Sequence, residues 1–288
     1  LITDNISSDQ SGGVYCGNQS DPTLINVTIA NNICSDHPSN GGAVTCYGSH
    51  PTLVNCITFN NFPNEIVLDY GGDGSSVSVS YSNIQGGQDS IVTNDNGTIT
   101  WGDGNIDVDP MFVDTADGDY HLLASSQLIN AGHPDSLDSD GSIADIGAYP
   151  YLNSYSGPTW YITEDGNDST ATGASDDPFR SIQAGINFSS NTDSITVAAG
   201  TYVENIDFNG KNIAVIGEDR ATTIIDGNQN GSVVVFENGE TSATILKQFT
   251  IRNGSGTGAG LHLDYQSSPL LENLLITDNT GGHGGGMF

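Results

Sequence analysis

A short motif that returns several times constrains the fold more than any other feature. Pro22-Thr23-Leu24-Ile25-Asn26 comes back 29 residues later as Pro51-Thr52-Leu53-Val54-Asn55, and again as Pro269-Leu270-Leu271-Glu272-Asn273. Each copy leads into an alternating apolar stretch and then an Asx pair: Asn31-Asn32, Asn60-Asn61 and Asp278-Asn279. Gly-rich starts precede them at Gly12-Gly13, Gly41-Gly42 and Gly258-Ala259-Gly260. Alternation of period two is a strand signal, and Gly and Asn mark turns because they tolerate positive φ. A unit this short cannot bury its own apolar face. Stacking unit on unit at about 4.8 Å does bury it. The expectation is an all-β parallel β-helix, with Asn26 under Asn55 as an amide ladder and Leu24 under Leu53 in the core. The alternation slips by one residue at Cys56-Ile57-Thr58-Phe59.

Other repeat architectures fit less well. Leucine-rich repeats need a denser Leu framework, and propeller blades need longer four-stranded units. The Ca²⁺-binding nonapeptide helix needs a reiterated Gly-Gly-x-Gly-x-Asp, whereas Gly71-Gly72-Asp73-Gly74 occurs once.

Charge narrows the partners. There are 35 acidic and 5 basic residues, a formal net charge of −30. Phosphate binding requires Lys and Arg, so nucleic acid is excluded as a partner. No run of 18 apolar residues exists, so no membrane insertion is expected. Acidity of this kind keeps an exposed protein soluble and attracts cations, which points to an extracellular or cell-surface location.

A boundary is expected at 151–157, where strand alternation stops. It separates residues 1–150 from 158–288. Just downstream, Asp177-Pro178-Phe179-Arg180-Ser181-Ile182-Gln183-Ala184-Gly185-Ile186 is the best helix candidate. Asp177 is placed to cap it, Pro178 fits the first helical position, and Phe179, Ile182 and Ile186 share a face. A lone helix beside a β-helix would close the open end of the core.

Three stretches together carry a family resemblance: Trp160-Tyr161-Ile162-Thr163-Glu164-Asp165-Gly166, Asp177-Pro178-Phe179-Arg180-Ser181-Ile182-Gln183 and Ile195-Thr196-Val197-Ala198-Ala199-Gly200-Thr201-Tyr202. They resemble the N-terminal start of pectin-lyase-like right-handed parallel β-helix proteins. Asp109-Pro110-Met111-Phe112-Val113, Asp117-Gly118-Asp119-Tyr120-His121-Leu122, Ile129-Asn130-Ala131-Gly132 and Ala144-Asp145-Ile146-Gly147-Ala148-Tyr149 resemble that family's C-terminal closing segment. The resemblance implies that 1–150 is the C-terminal part of one β-helix and 158–288 the N-terminal part of the next, with its capping helix. Leu275-Ile276-Thr277-Asp278-Asn279 also repeats Leu1-Ile2-Thr3-Asp4-Asn5. The sequence is therefore expected to be about one period of a longer tandem protein.

Members of that family cleave polysaccharides, which implies a lyase or hydrolase as one possibility. Lyase chemistry needs a clustered base and cations around a uronate carboxylate. The basic residues are Arg180, Lys211, Arg220, Lys247 and Arg252. Lys247 and Arg252 flank one coil strand and no second basic cluster backs them, so no catalytic residue is assigned. Asp264, Glu272 and Asp278 are too ordinary among so many acids to define a hydrolase pair. The histidines (His37, His50, His121, His133, His262, His283) show no metal or catalytic spacing.

The strongest ion-binding signal is Asp135, Asp138, Asp140 and Asp145 around the Asp140-Gly141 turn. It suits calcium but lacks the full twelve-residue loop and its closing Glu. An Asp-rich turn without metal is the plain alternative. Asp103, Asp107 and Asp109 form a weaker cluster. Cys16 and Cys46 hold equivalent places in successive coils, close enough for a disulfide or for two buried thiols. The sequons at Asn26, Asn96, Asn230 and Asn253 follow from composition. The function expected is a non-catalytic structural or surface β-helix in a tandem protein or filament, partnered by copies of itself head to tail or by neighbouring units. The alternatives are a carbohydrate-active enzyme and a glycan-binding module that uses Tyr15 or Tyr265.

Overall fold

The computed structural model describes residues 1–35, 40–69, 74–94 and 97–288. Gly71-Gly72-Asp73, His37 and the Asn96 sequon lie outside the described residues. The protein forms two compact units. One comprises Leu1–Leu122 with Ser126–Leu152, and the other Leu123–Ser125 with Asn153–Phe288. Both are parallel β-solenoids, the class expected from the repeat.

In the first unit, the coils stack their strands into three main parallel sheets, with a two-stranded one, Ile6–Ser7 with Ile33–Cys34, beside them. The first sheet stacks Ile2–Thr3, Thr28–Ala30, Ile57–Phe59 and Asn83–Ile84. The second stacks Val14–Gly17, Gly41–Tyr47 and Asn64–Asp69, and the third Thr23–Ile25, Thr52–Val54, Ser76–Ser80 and Thr98–Trp101. Thr23 pairs with Thr52 and Leu24 with Leu53, as the repeated motif requires. The following coils are shorter: Thr52 pairs with Ser78, and Ser76 with Thr98. The 29-residue spacing is thus one coil's length and not a fixed period, because the turns absorb insertions while the strands keep register. Ile29, Val44, Cys46, Leu53, Ile66, Leu68, Val77, Val79 and Ile84 fill the space between the sheets.

Two amide ladders run across these coils. At the first corner Asn26 and Asn55 both adopt positive φ, and Asn55 Nδ2 donates to Asn26 Oδ1 at 3.0 Å. At the second corner the first member of each Asx pair turns the backbone in the left-handed region, as Asp4, Asn31 and Asn60 do. The second member points inward. Asn5 N donates to Asn32 Oδ1 at 3.0 Å, and Asn32 N to Asn61 Oδ1 at 2.9 Å. Asn61 N in turn donates to Glu65 Oε1 at 2.9 Å, so a buried carboxylate ends the ladder.

Residues 105–150 do more than close a coil. Phe112–Asp114 and Asp119–Leu122 form an antiparallel hairpin. The segment then lies along the outer side of the first sheet. Ala148 N donates to Thr28 Oγ1, His133 N to Asn55 Oδ1, and Gly147 N to Asn55 O. Tyr120 reaches Asp4 and Asn31, and the Phe112 ring meets Phe59 edge-on at 6.4 Å. A Cβ at Gly147 would lie 2.6 Å from Ile57 Cδ1, so this close approach needs glycine. The cover explains the slipped alternation. Cys56, Ile57 and Thr58 are all fully buried because both sides of that strand are packed.

The second unit repeats the plan. Its longest sheet stacks Thr159–Ile162, Ser194–Val197, Ala214–Gly217, Ile245–Lys247 and Leu270–Glu272. A second stacks Gly200–Val203, Thr223–Asp226, Thr250–Arg252 and Leu275–Thr277, and a third Ile206–Asp207, Val234–Phe236 and Leu261–Leu263. The α-helix spans Ile182–Phe188 and packs against the first coils, with Ile182, Ala184 and Ile186 buried. It begins later than the sequence suggests. Ser181 is the N-cap, its hydroxyl accepting from Ala184 N. Asp177 instead binds Thr172 N and Oγ1, and Phe179 pairs in β fashion with Ile162. Residues 177–179 are held in extended geometry by that bridge, which outweighs the local capping preference.

Candidate functional site

The Asp-rich loop is a small hairpin in which Leu137 bridges Ile143. Asp138 Oδ2 accepts from Asp145 N at 2.9 Å, and Asp140 Oδ1 from Ser142 N and Oγ at 3.0 and 2.6 Å. Asp145 is buried, with one oxygen on Asn130 N at 2.6 Å and the other on Tyr151 N at 2.7 Å. Burial pushes its carboxyl up to about 7, against those two amides and with help from the charges of Asp138 and Asp140. Asp138 is raised as well, chiefly by burial. Asp138, Asp140 and Asp145 therefore share one loop, and each orders its backbone. Asp135 sits at the loop's start, where its N–H meets His133 Nδ1 at 3.2 Å. Among the described residues, no three His, Cys, Asp or Glu side chains converge as a metal-ligand set. In the weaker cluster Asp107 accepts from Gly86 N of the preceding coil, and Asp109 accepts from Met111 N as a turn former.

The basic residues are dispersed. Lys211 is half-buried beneath the helix, where Nζ donates to Ile186 O and Asn187 O at 2.8 and 2.7 Å. Arg252 pairs with Asp226 at 2.9 Å, which together with Asn228 and Asn253 holds that carboxyl below its usual range. Lys247 stands on a different sheet, opposite Ile216 and Glu272. Lys247 and Arg252 thus do not form one outward pair. Arg180 and Arg220 are exposed.

Glu204 and Glu240 are structural carboxylates that sequence reasoning passed over. Glu204 accepts from Ile182 N and Gln183 N at 2.9 and 3.0 Å, at the start of the helix. The residue keeps some surface exposure, yet its carboxyl is surrounded by protein atoms and is pushed up to about 7 by burial. Glu240 is fully buried and binds Gly210 N, Asn238 N and Ser267 Oγ, tying successive coils together. Those hydrogen bonds outweigh its desolvation and lower its pKa. The available signal was their place one coil after an element with free backbone donors.

Cys16 and Cys46 are in register on neighbouring strands as buried free thiols, and burial raises both. The histidines are scattered. His121 pairs with Asp119 at 2.7 Å and stacks on Tyr149, while His262 stacks on Phe288. On the second sheet of the first unit, Tyr15 and Tyr47 are 42% and 41% exposed. The Tyr15 ring lies over Gly17, which pairs with Tyr47, and Tyr47 pairs with Asp69. Two tyrosines and a carboxylate thus share one exposed stripe. Tyr265 is exposed alone at a turn of the second unit, in the left-handed region.

Residues 164–262 match a family described as Protein of unknown function (DUF1565). The match runs from the Glu164 turn through the helix and three coils of the second unit. No curated protein and no solved structure matches this sequence.

Proposed function

We propose that this protein is a structural β-helical module of a tandem-repeat protein, extracellular or on a cell surface, that lengthens by stacking coils in register. The observation that carries this reading is the equivalence of two distant coils. Asp278 turns the backbone as Asp4 does, with φ 55° against 58°. Asn279 then behaves as Asn32 does. Its Nδ2 binds Thr277 O and Ile251 O, as Asn32 Nδ2 binds Ala30 O and Ile2 O. Its Oδ1 accepts from Gly254 N, as Asn32 Oδ1 accepts from Asn5 N. The coil that carries Leu275–Asn279 therefore has the geometry needed to be followed by the coils that follow Leu1–Asn5. The pectin-lyase-like character belongs to the same proposal, resting on the order of closing and opening motifs in the sequence.

The use of charged groups supports a non-catalytic role. Lys211, Arg252, Asp145, Glu204 and Glu240 all hold backbone or neighbouring side chains. A second reading, glycan binding, is favoured by the exposed Tyr15–Tyr47–Asp69 stripe, since sugars stack on aromatic faces flanked by acceptors. Electron microscopy of the protein with Ca²⁺ and with chelator separates the possibilities. Head-to-tail rods or filaments support the structural reading, and their loss in chelator assigns calcium to the assembly. Isolated particles in both conditions, together with retention on a polysaccharide column that Tyr47→Ala abolishes, would replace it with glycan binding.

A further inference from the structure

Asn-Gly is the dipeptide most prone to spontaneous deamidation. The Gly nitrogen attacks the Asn Cγ, the bond from Cγ to Nδ2 breaks and ammonia leaves. Water then opens the resulting succinimide at either carbonyl to give aspartate or isoaspartate. Six Asn-Gly pairs occur in the sequence, and five lie wholly within the described residues: Asn40-Gly41, Asn209-Gly210, Asn230-Gly231, Asn238-Gly239 and Asn253-Gly254. Turn geometry explains their presence, because both residues tolerate positive φ.

In all five, the Gly N–H that would become the nucleophile donates to a side-chain oxygen. Gly41 N meets Thr45 Oγ1 at 2.9 Å. Gly210 N meets Glu240 Oε1 at 2.8 Å, and Gly254 N meets Asn279 Oδ1 at 2.7 Å. Gly231 N meets Ser255 Oγ at 3.0 Å, and Gly239 N meets Ser267 Oγ at 3.2 Å. Apart from Thr45, each acceptor belongs to the next or a neighbouring coil. A nitrogen held this way must break its hydrogen bond and rotate before it can reach Cγ. We propose that these hydrogen bonds, four of them from coil to coil, lock the turns against succinimide formation, and that Asn230-Gly231 and Asn238-Gly239 are the modification sites that open first.

The locks differ in strength. A carboxylate or amide oxygen at 2.7–2.8 Å holds Gly210 and Gly254, while hydroxyls at longer range hold Gly231 and Gly239. Asn253 is additionally tied through Nδ2 to Asp226. Asn230 and Asn238 are exposed, and neither side chain makes a hydrogen bond among the described residues. Both hydroxyls are shared: Ser255 Oγ donates to Gln229 O while accepting from Gly231 N, and Ser267 Oγ donates to Glu240 Oε2 while accepting from Gly239 N. Each event at either site replaces a neutral amide with a carboxylate.

The test is peptide mapping by mass spectrometry after incubation at mildly alkaline pH, on the full-length protein and on the variants Ser255→Ala and Ser267→Ala. The folded protein should deamidate at Asn230 and Asn238 ahead of the other three pairs, and all five more slowly than in urea. Ser255→Ala should raise the rate at Asn230 alone by about fivefold, the factor that one net hydrogen bond provides. Ser267→Ala should do the same at Asn238 alone. Unchanged rates at both unlocked sites, or a rise shared by all five pairs, would overturn the site-by-site lock.

Discussion

Glu204 and Lys211 sit on the same coil and hold opposite ends of the Ile182–Phe188 helix. Glu204 takes the N–H groups of Ile182 and Gln183, and Lys211 Nζ takes the carbonyls of Ile186 and Asn187. The signs match the helix dipole, with an anion at the N-terminus and a cation at the C-terminus. A seven-residue helix is too short to be stable alone, so it depends on these grips and on its buried face. Lys211→Met keeps the apolar stem but takes the ammonium donor from the carbonyls of Ile186, which retains Ser189 Oγ, and Asn187. It should destabilise the second unit by about 1–3 kcal/mol. Glu204→Ala should cost about as much by removing the acceptor of two amides. Urea unfolding followed by far-UV circular dichroism reads both.

Buried ionisable groups give the protein an unusual pH profile. Glu204 and Asp145 are raised from 4.5 and 3.8 to about 7. The folded state therefore binds their protons more tightly than the unfolded state does. Their contribution is fully present below about 4 and is lost as pH climbs to 7. Lys211 is lowered to about 8, so its contribution grows as pH rises from 8 towards its ordinary value of 10.5. Glu240 and Asp226, both lowered, lose their contribution only in stronger acid. The melting temperature should therefore be higher at pH 5 than at pH 7.5, and Glu204→Gln should flatten part of that slope. A melting temperature that rises between pH 5 and 7.5 would contradict these assignments.

The two amide ladders should respond differently to the same substitution. Asn32 is fully buried, and its amide binds Ile2 O, Ala30 O and Asn61 Oδ1 while its oxygen accepts from Asn5. Asn32→Ala strands several of these groups and should cost about 3 kcal/mol or more. Asn26 is exposed and accepts one hydrogen bond from Asn55. Asn26→Ala should cost about 1 kcal/mol, part of it from the positive φ that alanine tolerates poorly. Equal losses in chemical denaturation would show that the inner ladder carries no special weight.

A net charge of −30 with so few cations, two of which, Lys211 and Arg252, are already committed to helix carbonyls and to Asp226, repels itself. Raising NaCl from about 10 mM to about 150 mM shortens the screening length from about 30 Å to about 8 Å. The melting temperature should rise across that range. If the Asp138–Asp145 loop takes calcium, millimolar Ca²⁺ should add stability beyond Mg²⁺ at equal ionic strength, and Asp140→Asn should remove the difference.

The strand-and-turn plan was legible because strand positions keep register while turns vary. Thr23, Leu24 and Asn26 could be placed on Thr52, Leu53 and Asn55 from spacing alone. The lateral cover was not legible. It joins Tyr120 to Asp4 and Asn31, far apart in sequence, and its only local trace was the broken alternation at Cys56–Phe59. The helix could be located but not its first turn, because the pairing of Phe179 with Ile162 decides where it begins. The inner ladder was half visible. The Asx pairs marked a corner, while the division into one turning and one inward residue follows from backbone geometry. The role of Lys211 was hidden because an amine beneath a helix has no spacing signature.

A polypeptide of two copies joined at the shared pentapeptide tests the central claim most directly. Residues 1–279 would be followed by residues 6–288, so that Asn279 takes the place of Asn5 in the inner ladder. The product should be soluble and fully folded, with amides around the junction as protected from hydrogen exchange as those of Asn32 and Asn61. Rapid exchange confined to the junction, or a product that aggregates while the single copy stays soluble, would contradict that claim.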